Sequence, residues 1–343
     1  MSTMTNKSES ILIFGATGTI GAYSALYFKE KGYQVIVSGK RSTDNGFFKE
    51  NDIDYYPIDI SKKSDFSALK KVKPQVILHC AGIMPAAMNG YYPQNYITSI
   101  LIGTLNILDF AIQTDAEKIL FTHSHADSSY LAGTDKLIPS DIEKKFPLTG
   151  DHSIYSICKN ASVDLIEHYY HQHGLKRFTF RLPTIYAYHP NPFFYVNGER
   201  IYIAYRYIIN QAIRGEKIEI WGNPQRKKEI VYIKDLCQLF EQATKSKLDG
   251  GLYNVGRGLG VTLDEQIKGI IDVFCPKNRV SKLVYRPDKP DAKQFVHDIS
   301  KIKNELGFKS NFNYMELLRD FKEEMHSQRF LRLWGSEKDY PND

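Results

Sequence analysis

Ile11-Leu-Ile-Phe-Gly15-Ala-Thr-Gly18-Thr-Ile-Gly21 runs four apolar residues into three glycines at spacing three and three. Four apolar residues in a row read as a strand covered on both faces, as in a parallel sheet. Beyond the glycines, Ile20, Tyr23, Leu26 and Tyr27 recur at helical spacing. A strand, a glycine turn and a helix in that order make a phosphate-binding corner. Backbone N–H groups can approach a pyrophosphate there, and the helix N-terminus adds partial positive charge. Gly15, Thr17, Gly18, Thr19, Ile20 and Gly21 are the candidate contacts. The spacing is G-x-x-G-x-x-G, not the G-x-G-x-x-G of many dehydrogenases.

Outward from this corner the pattern repeats. Tyr33–Val37, Ile53–Ile58, Gln75–His79 and Lys118–Thr122 read as further strands. A short helix over 64–72, a long one over about 93–114 and another from Tyr155 to about His173 alternate with them. The alternation predicts an α/β fold, a Rossmann-type doubly wound parallel sheet, over residues 10 to about 180. The predicted organisation is a dinucleotide-binding domain over 1–183 and a smaller substrate-binding α/β region over 184–334. The second is partly interleaved with the first, and 335–343 forms a frayed or lid-like tail. Within the second region, 190–198 reads as a Pro/Asn/aromatic loop and 200–214 as a tyrosine-rich helix. Thr262-Leu-Asp-Glu265 is a capping box, and Asn313 to about Arg329 an amphipathic helix.

The end of the second strand is where such folds meet the adenosine ribose. An acidic residue there accepts from a free 2′-hydroxyl and repels a 2′-phosphate, whereas a basic one does the reverse. Gly39 is followed by Lys40 and Arg41, which points to NADP(H), with NAD(H) possible. An Asp in place of Gly39 is expected to reverse that preference. Asp59 and Ile60 end the third strand, where an adenine could lie. Cys80-Ala81-Gly82 supplies small residues for close approach to the cofactor.

The net charge of +6, with 42% hydrophobic and 24% charged residues, describes an ordinary globular chain. Scattered lysine pairs (Lys62-Lys63, Lys70-Lys71, Lys144-Lys145, Lys227-Lys228) form no nucleic-acid stripe but suit an anionic small substrate. No uninterrupted apolar run reaches 18 residues, and Met1 to Ser10 is polar with no apolar h-region. The expectation is a soluble, cytoplasmic protein without a membrane partner. Cys80, Cys158, Cys237 and Cys275 lie far apart and suit reduced thiols. His168, His171 and His173 have no carboxylate or cysteine set to complete a metal site, so none is expected.

Tyr155-Ser-Ile-Cys-Lys159 places a phenol and an ammonium on one helix face at i and i+4. A nearby ammonium favours the phenolate and is expected to lower a pKa normally near 10, making the tyrosine usable as an acid or base. The fifth strand delivers His123-Ser124-His125 to the carboxyl edge of the sheet, the ligand crevice of open parallel sheets. His123 and His125 alternate across the strand end, so one of them faces the crevice while the other packs.

Together these features carry a resemblance that runs nearly the whole length. The chain resembles the extended short-chain dehydrogenase/reductases of the NAD-dependent epimerase/dehydratase family, which act on nucleotide sugars. The glycine motif, Gly103-Thr104-Leu-Asn-Ile-Leu, Phe121-Thr-His-Ser124 and Arg181-Leu-Pro-Thr-Ile-Tyr186 match its segments in order. So do Ile220-Trp-Gly222, Ile230-Val-Tyr-Ile-Lys-Asp-Leu236, Gly251-Leu-Tyr-Asn-Val-Gly256 and Asp298-Ile-Ser-Lys301, followed by Glu305-Leu-Gly307. The resemblance implies Ser124, Tyr155 and Lys159 as the catalytic set. It also implies Lys159 and Pro183 at the nicotinamide side, Met84, His125, Arg226 and Lys228 toward the substrate, and a homodimer.

Three departures sharpen the expectation. Ile100 stands where the family usually has an Asn three residues before Gly103-Thr104. Lys228 replaces an Arg that grips the diphosphate, keeping the charge but losing the bidentate fork, which Arg226 could supply. His125-Ala126 replaces the Asp-Glu pair of sugar 4,6-dehydratases, which disfavours dehydration. A sugar 4-epimerase working by transient oxidation is the first expectation and an NADPH-dependent 4-ketoreductase the second. A non-catalytic NADP(H)-binding protein is a third, drawn from Ile100.

Overall fold

The computed structural model describes residues 9–85, 90–196 and 198–341, so most of the polar start lies outside the described residues. Seven strands form one parallel sheet: β1 (Ser10–Phe14), β2 (Gln34–Gly39), β3 (Asp54–Pro57), β4 (Val76–His79), β5 (Lys118–Ser124), β6 (Lys176–Leu182) and β7 (Gly250–Asn254). Their order across the sheet is β7-β6-β5-β4-β1-β2-β3. The chain therefore winds one way from β1 to β3, then restarts beside β1 with β4 and winds the other way. The switch point lies where Phe14 of β1 is flanked by Ser38 and His79. A crevice opens at such a point beyond the carboxyl ends of the strands.

The four apolar residues of β1 explain why it is central. Ile11 and Ile13 face one core, Leu12 and Phe14 the other, and all four are fully buried. Helix α1 (Thr19–Glu30) packs its residues Ala22, Tyr23, Ala25 and Leu26 into the first core. Helix α2 (Pro93–Gln113) and helix α3 (Asp151–His173) cover the opposite face. By length and composition α2 could cross a membrane, yet half of it is buried within the protein. Gly103 lets it approach: a Cβ there would stand 2.5 Å from Cδ1 of Ile60.

Four local readings are refined. The helix over 93–114 is not uniform but carries a π-helical segment, Ile97–Ile102, a feature common at functional sites. The helix at 64–72 is a 3-10 turn, Lys63–Leu69. The loop at 190–198 is half of a hairpin, Phe193–Val196 paired antiparallel with Glu199–Tyr202, so the helix after it begins only at Ala204. Its tyrosines pack on protein rings, with Tyr205 stacked 4.1 Å from Tyr186. The expected capping box forms, Thr262 with Glu265, and another, Asn313 with Glu316, opens the amphipathic helix near the end of the chain.

Short strands assemble the remaining region beside the crevice. Ile218–Trp221 pairs with Leu283–Arg286, Lys227–Lys228 with Val261–Thr262, and Val231–Tyr232 with Ile185–Tyr186 just after Pro183. Between them the chain returns to the main sheet as β7 on β6.

Candidate active site

Each glycine of the first corner has a separate geometric reason. Gly15 has φ +87°, and a Cβ on it would lie 2.7 Å from the Ala81 nitrogen. A Cβ on Gly21 would lie 2.4 Å from the Gly15 oxygen, so α1 sits directly against the turn. Gly18 differs: its nearest neighbour would be 3.4 Å away, and the residue is exposed, so it leaves space for a ligand. The Ser38 carbonyl accepts from the amides of Gly15 and Ala16, each at 2.9 Å, which ties the corner to β2. The first-turn amides of α1, led by Thr19 and Ile20, have no acceptor within the helix. A pyrophosphate fits this cradle.

The other predicted cofactor residues border the same crevice. Cys80, Ala81 and Gly82 follow β4, with the Cys80 amide donating to the Phe14 carbonyl at 3.0 Å. The Ile60 carbonyl accepts from Asn106 at 2.8 Å, and Pro183 is buried after β6. Lys40 and Arg41 stand at the end of β2, but neither is idle. Lys40 pairs with Asp59 at 3.1 Å, and Arg41 donates to the Leu333 carbonyl at 2.8 Å. A Cβ on Gly39 would lie 2.8 Å from Cγ2 of Thr17, so an Asp there requires the Thr17 side chain to shift. Met84 is 54% exposed and follows Ile83, which packs against the cluster that holds Tyr155.

Ser124, Tyr155 and Lys159 come together at the edge of β5. The Ser124 hydroxyl accepts from the Ala126 amide at 3.2 Å, and the Tyr155 phenol lies near enough to feel it. Lys159 donates to the Thr122 carbonyl at 2.7 Å and lies 4.5 Å from the centroid of the Phe121 ring. The predicted lowering of the Tyr155 pKa is not found. Burial pushes its phenol up to about 12, offset in part by the Ser124 hydroxyl. The physical reason is its setting: Tyr155 is 8% exposed and packs against Tyr96, Ile100 and Cys158, with the Lys159 ammonium held at the Thr122 carbonyl. Burial also lowers Lys159, to about 8.

Ile100, the residue at the family's Asn position, is part of this apolar backing and belongs to the π-helical segment. Its carbonyl accepts from the Thr104 hydroxyl at 2.6 Å, and Thr104 also meets Nε2 of His79 at 2.9 Å.

Sequence reading missed the charge network beneath the site. Asp127 is fully buried and accepts two hydrogen bonds from Arg181, at 2.9 and 2.8 Å, with His123 at 3.1 Å. Arg181 also donates to Asn254 at 2.8 Å, which joins β6 and β7. These contacts hold Asp127 at about 2. A charged residue inside a buried strand was the available signal, because Arg181 at 1% exposure requires a partner. His123 is thus the packed member of the histidine pair.

His125 stacks on Phe295 at 4.9 Å and stands 6.2 Å from His297. Phe295 in turn forms a bridge with Lys228, whose ammonium is destabilised by burial and by neighbouring Arg226. His125, Lys228 and Arg226 therefore share one wall. Arg226 donates to the Trp221 carbonyl at 2.8 Å and pairs with Asp291. Two further cations flank Trp221: Arg286 opposite it in the strand pair, and Lys289 at 5.7 Å from its ring. Neither was predicted; the alternating strand Leu283–Arg286 was the only hint.

This burial sets a pH dependence. Burial pushes His125, His189 and His297 to about 4, against an unfolded value near 6.5. Between pH 6.5 and 4 the unfolded chain binds protons that the folded one refuses, so stability falls as the pH falls and levels off near 4. Replacing the fully buried His297 by Gln is expected to reduce the slope of unfolding free energy in that window by up to about 1.4 kcal/mol per pH unit. Denaturant titrations at pH 7, 6 and 5 check it, and an unchanged slope contradicts it.

A doubly wound sheet with an open glycine at its switch point and a Ser-Tyr-Lys set at its carboxyl edge defines a dinucleotide-dependent oxidoreductase. The chain belongs to the NAD dependent epimerase/dehydratase family, which it matches over residues 11–256. It is 26% identical over 331 residues to an uncharacterised protein of Methanocaldococcus jannaschii, covering 92% of this chain and 95% of that one. It is 24% identical to GDP-L-fucose synthase 1 of Arabidopsis thaliana over 88% of each chain. Its fold is similar to that of a UDP-glucose 4-epimerase from Thermotoga maritima solved with UDP-glucose. The TM-score is 0.71 at 21% identity, over 92% of this chain and 99% of that one. The protein is thus a member of a family of NAD-dependent epimerases and dehydratases, and proteins similar to it include a GDP-L-fucose synthase and a UDP-glucose 4-epimerase.

Proposed function

We propose that this protein is a nucleotide-sugar 4-epimerase that works by transient oxidation of the sugar ring. The observation that carries the reading is the buried Tyr155 phenol beside the Ser124 hydroxyl at the carboxyl edge, with Lys159 one helical turn away. Ser124 would hold the sugar oxygen, and Tyr155 would exchange a proton with it. Lys159 would bind the nicotinamide ribose. A positive charge at that ribose is what would bring the phenol down from about 12 toward working pH. The bound dinucleotide would supply hydride exchange at the sugar carbon. Arg226 and Lys228, with His125, would face the diphosphate and sugar. Incubation with UDP-, GDP- and CDP-sugars without added cofactor tests this. An epimer forming with no net change in nicotinamide absorbance supports it, whereas a protein that yields no epimer but consumes NADPH stoichiometrically when given a nucleotide 4-keto-sugar in a parallel assay is a 4-ketoreductase instead.

The ketoreductase reading draws on Lys40 and Arg41, which also make NADP(H) the cofactor we propose. Charge-assisted hydrogen bonds are worth roughly 1.5–3 kcal/mol each. The Lys40 side chain is 79% exposed and both residues already have partners, so the lower part of the range applies. The double variant Lys40→Ala/Arg41→Ala is expected to weaken NADPH about tenfold more than NADH in direct titration. Equal weakening would make NAD(H) the cofactor.

Exposed Ile102 on α2 and Ile157 on α3 support a homodimer through these helices, which light scattering checks. The four free thiols suit a cytoplasmic location.

A further inference from the structure

The described residues Phe330–Pro341 pack against the body of the protein. After helix Tyr314–Ser327, residues Phe330, Leu333 and Trp334 are buried against α1, with Phe330 stacked 4.3 Å from Trp334 and 4.6 Å from Tyr23. The indole N–H of Trp334 donates to the Thr17 carbonyl at 2.9 Å, inside the glycine corner. The next carbonyl groups back along the chain reach the turn after β2: Leu333 accepts from Arg41 at 2.8 Å and Arg332 from Asn45 at 3.1 Å. Gly335, at φ +78°, then turns the chain away, and Tyr340 donates back to the Trp334 carbonyl at 2.8 Å.

Beyond the turn the segment is anchored to the other side of the crevice. Glu337 accepts from Arg206 at 2.6 Å, and the second amino group of this fully buried guanidinium donates to the His189 carbonyl at 2.6 Å. The His189 ring lies 4.5 Å from Trp334, and Arg200 donates to the Pro341 carbonyl at 2.8 Å. One strap, Phe330–Pro341, thus joins the glycine corner, the end of β2 and the region after β6.

The adenosine ribose of a dinucleotide on this fold sits between the glycine corner and the end of β2. Thr17 and Arg41 are the two flanks of that seat, and each is held by a strap group. We infer that the strap is a clasp on the dinucleotide: Trp334 is a positioning residue for the Thr17 flank, Leu333 for Arg41, and the Glu337–Arg206 pair latches the far end. Release of the dinucleotide then requires the strap to lift. The inference rests on the dinucleotide-binding reading of the corner, and it fits a catalyst that keeps its cofactor through both halves of an epimerisation.

Stopped-flow release of NADPH and of NADH, followed by nicotinamide fluorescence, tests it. Trp334→Phe keeps an aromatic ring but removes the N–H, and Glu337→Gln removes the charge of the latch while keeping an amide oxygen that can accept from Arg206. Loss of one net hydrogen bond corresponds to roughly three- to tenfold in rate. Both variants are expected to release the dinucleotide faster by that factor, with the KM for the nucleotide sugar unchanged. Glu337→Gln keeps the test open if Trp334→Phe disturbs folding. Unchanged release rates in the folded variants overturn the clasp. Failure of the unmodified protein to bind either dinucleotide overturns the reading of the corner instead.

Discussion

Tyr155→Phe is expected to lower turnover by roughly 10²–10⁴-fold while dinucleotide binding stays within about twofold. In the proposed mechanism the phenol beside Ser124 exchanges the proton with the sugar hydroxyl. Removing its oxygen leaves the ring in place against Tyr96 and Ile100, so the fold and the cofactor seat persist. Product analysis by chromatography, with dinucleotide titration on the same sample, reads both effects. A variant retaining near-normal turnover would remove Tyr155 from the chemistry. The apolar backing also predicts the form of the pH profile. With the phenol at about 12 and Lys159 at about 8 in the free protein, activity depends on ligand-induced lowering of Tyr155, not on a preformed phenolate.

The second large effect concerns stability. Asp127→Ala leaves the Arg181 guanidinium buried without its two carboxylate bonds and deprives His123 of its partner. Breaking a buried pair by removing one member costs about 3–5 kcal/mol, a large share of the 5–15 kcal/mol that holds a typical domain together. Denaturant unfolding is expected to show that loss. The double variant Asp127→Ala/Arg181→Leu should recover part of it, because no charge is then stranded. A loss below about 1 kcal/mol would show that water reaches Arg181. Because Arg181 also binds Asn254, the single variant loosens the junction of β6 and β7 close to the catalytic edge.

By itself the sequence determined what depends on short spacings. The apolar run of β1, the glycine triplet and the alternation that follows predict a parallel sheet and its phosphate corner, because strand burial and helix periodicity are local patterns. Tyr155 and Lys159 were legible for the same reason, being one helical turn apart, and Ser124 because a strand end places it. The tertiary structure alone decided what depends on distant segments meeting. Tyr155 is raised rather than lowered because Ile100 and Tyr96 come from another helix to bury it. Gly39 lies against the Thr17 side chain, 22 positions earlier in the chain, whose Cγ2 stands 2.8 Å from where its Cβ would be. Asp127 and Arg181 find each other across 54 residues, and Trp334 reaches Thr17 across 317. No periodicity records such pairings, since each follows from the order in which the parallel strands are laid side by side and from what the last helix is free to cover.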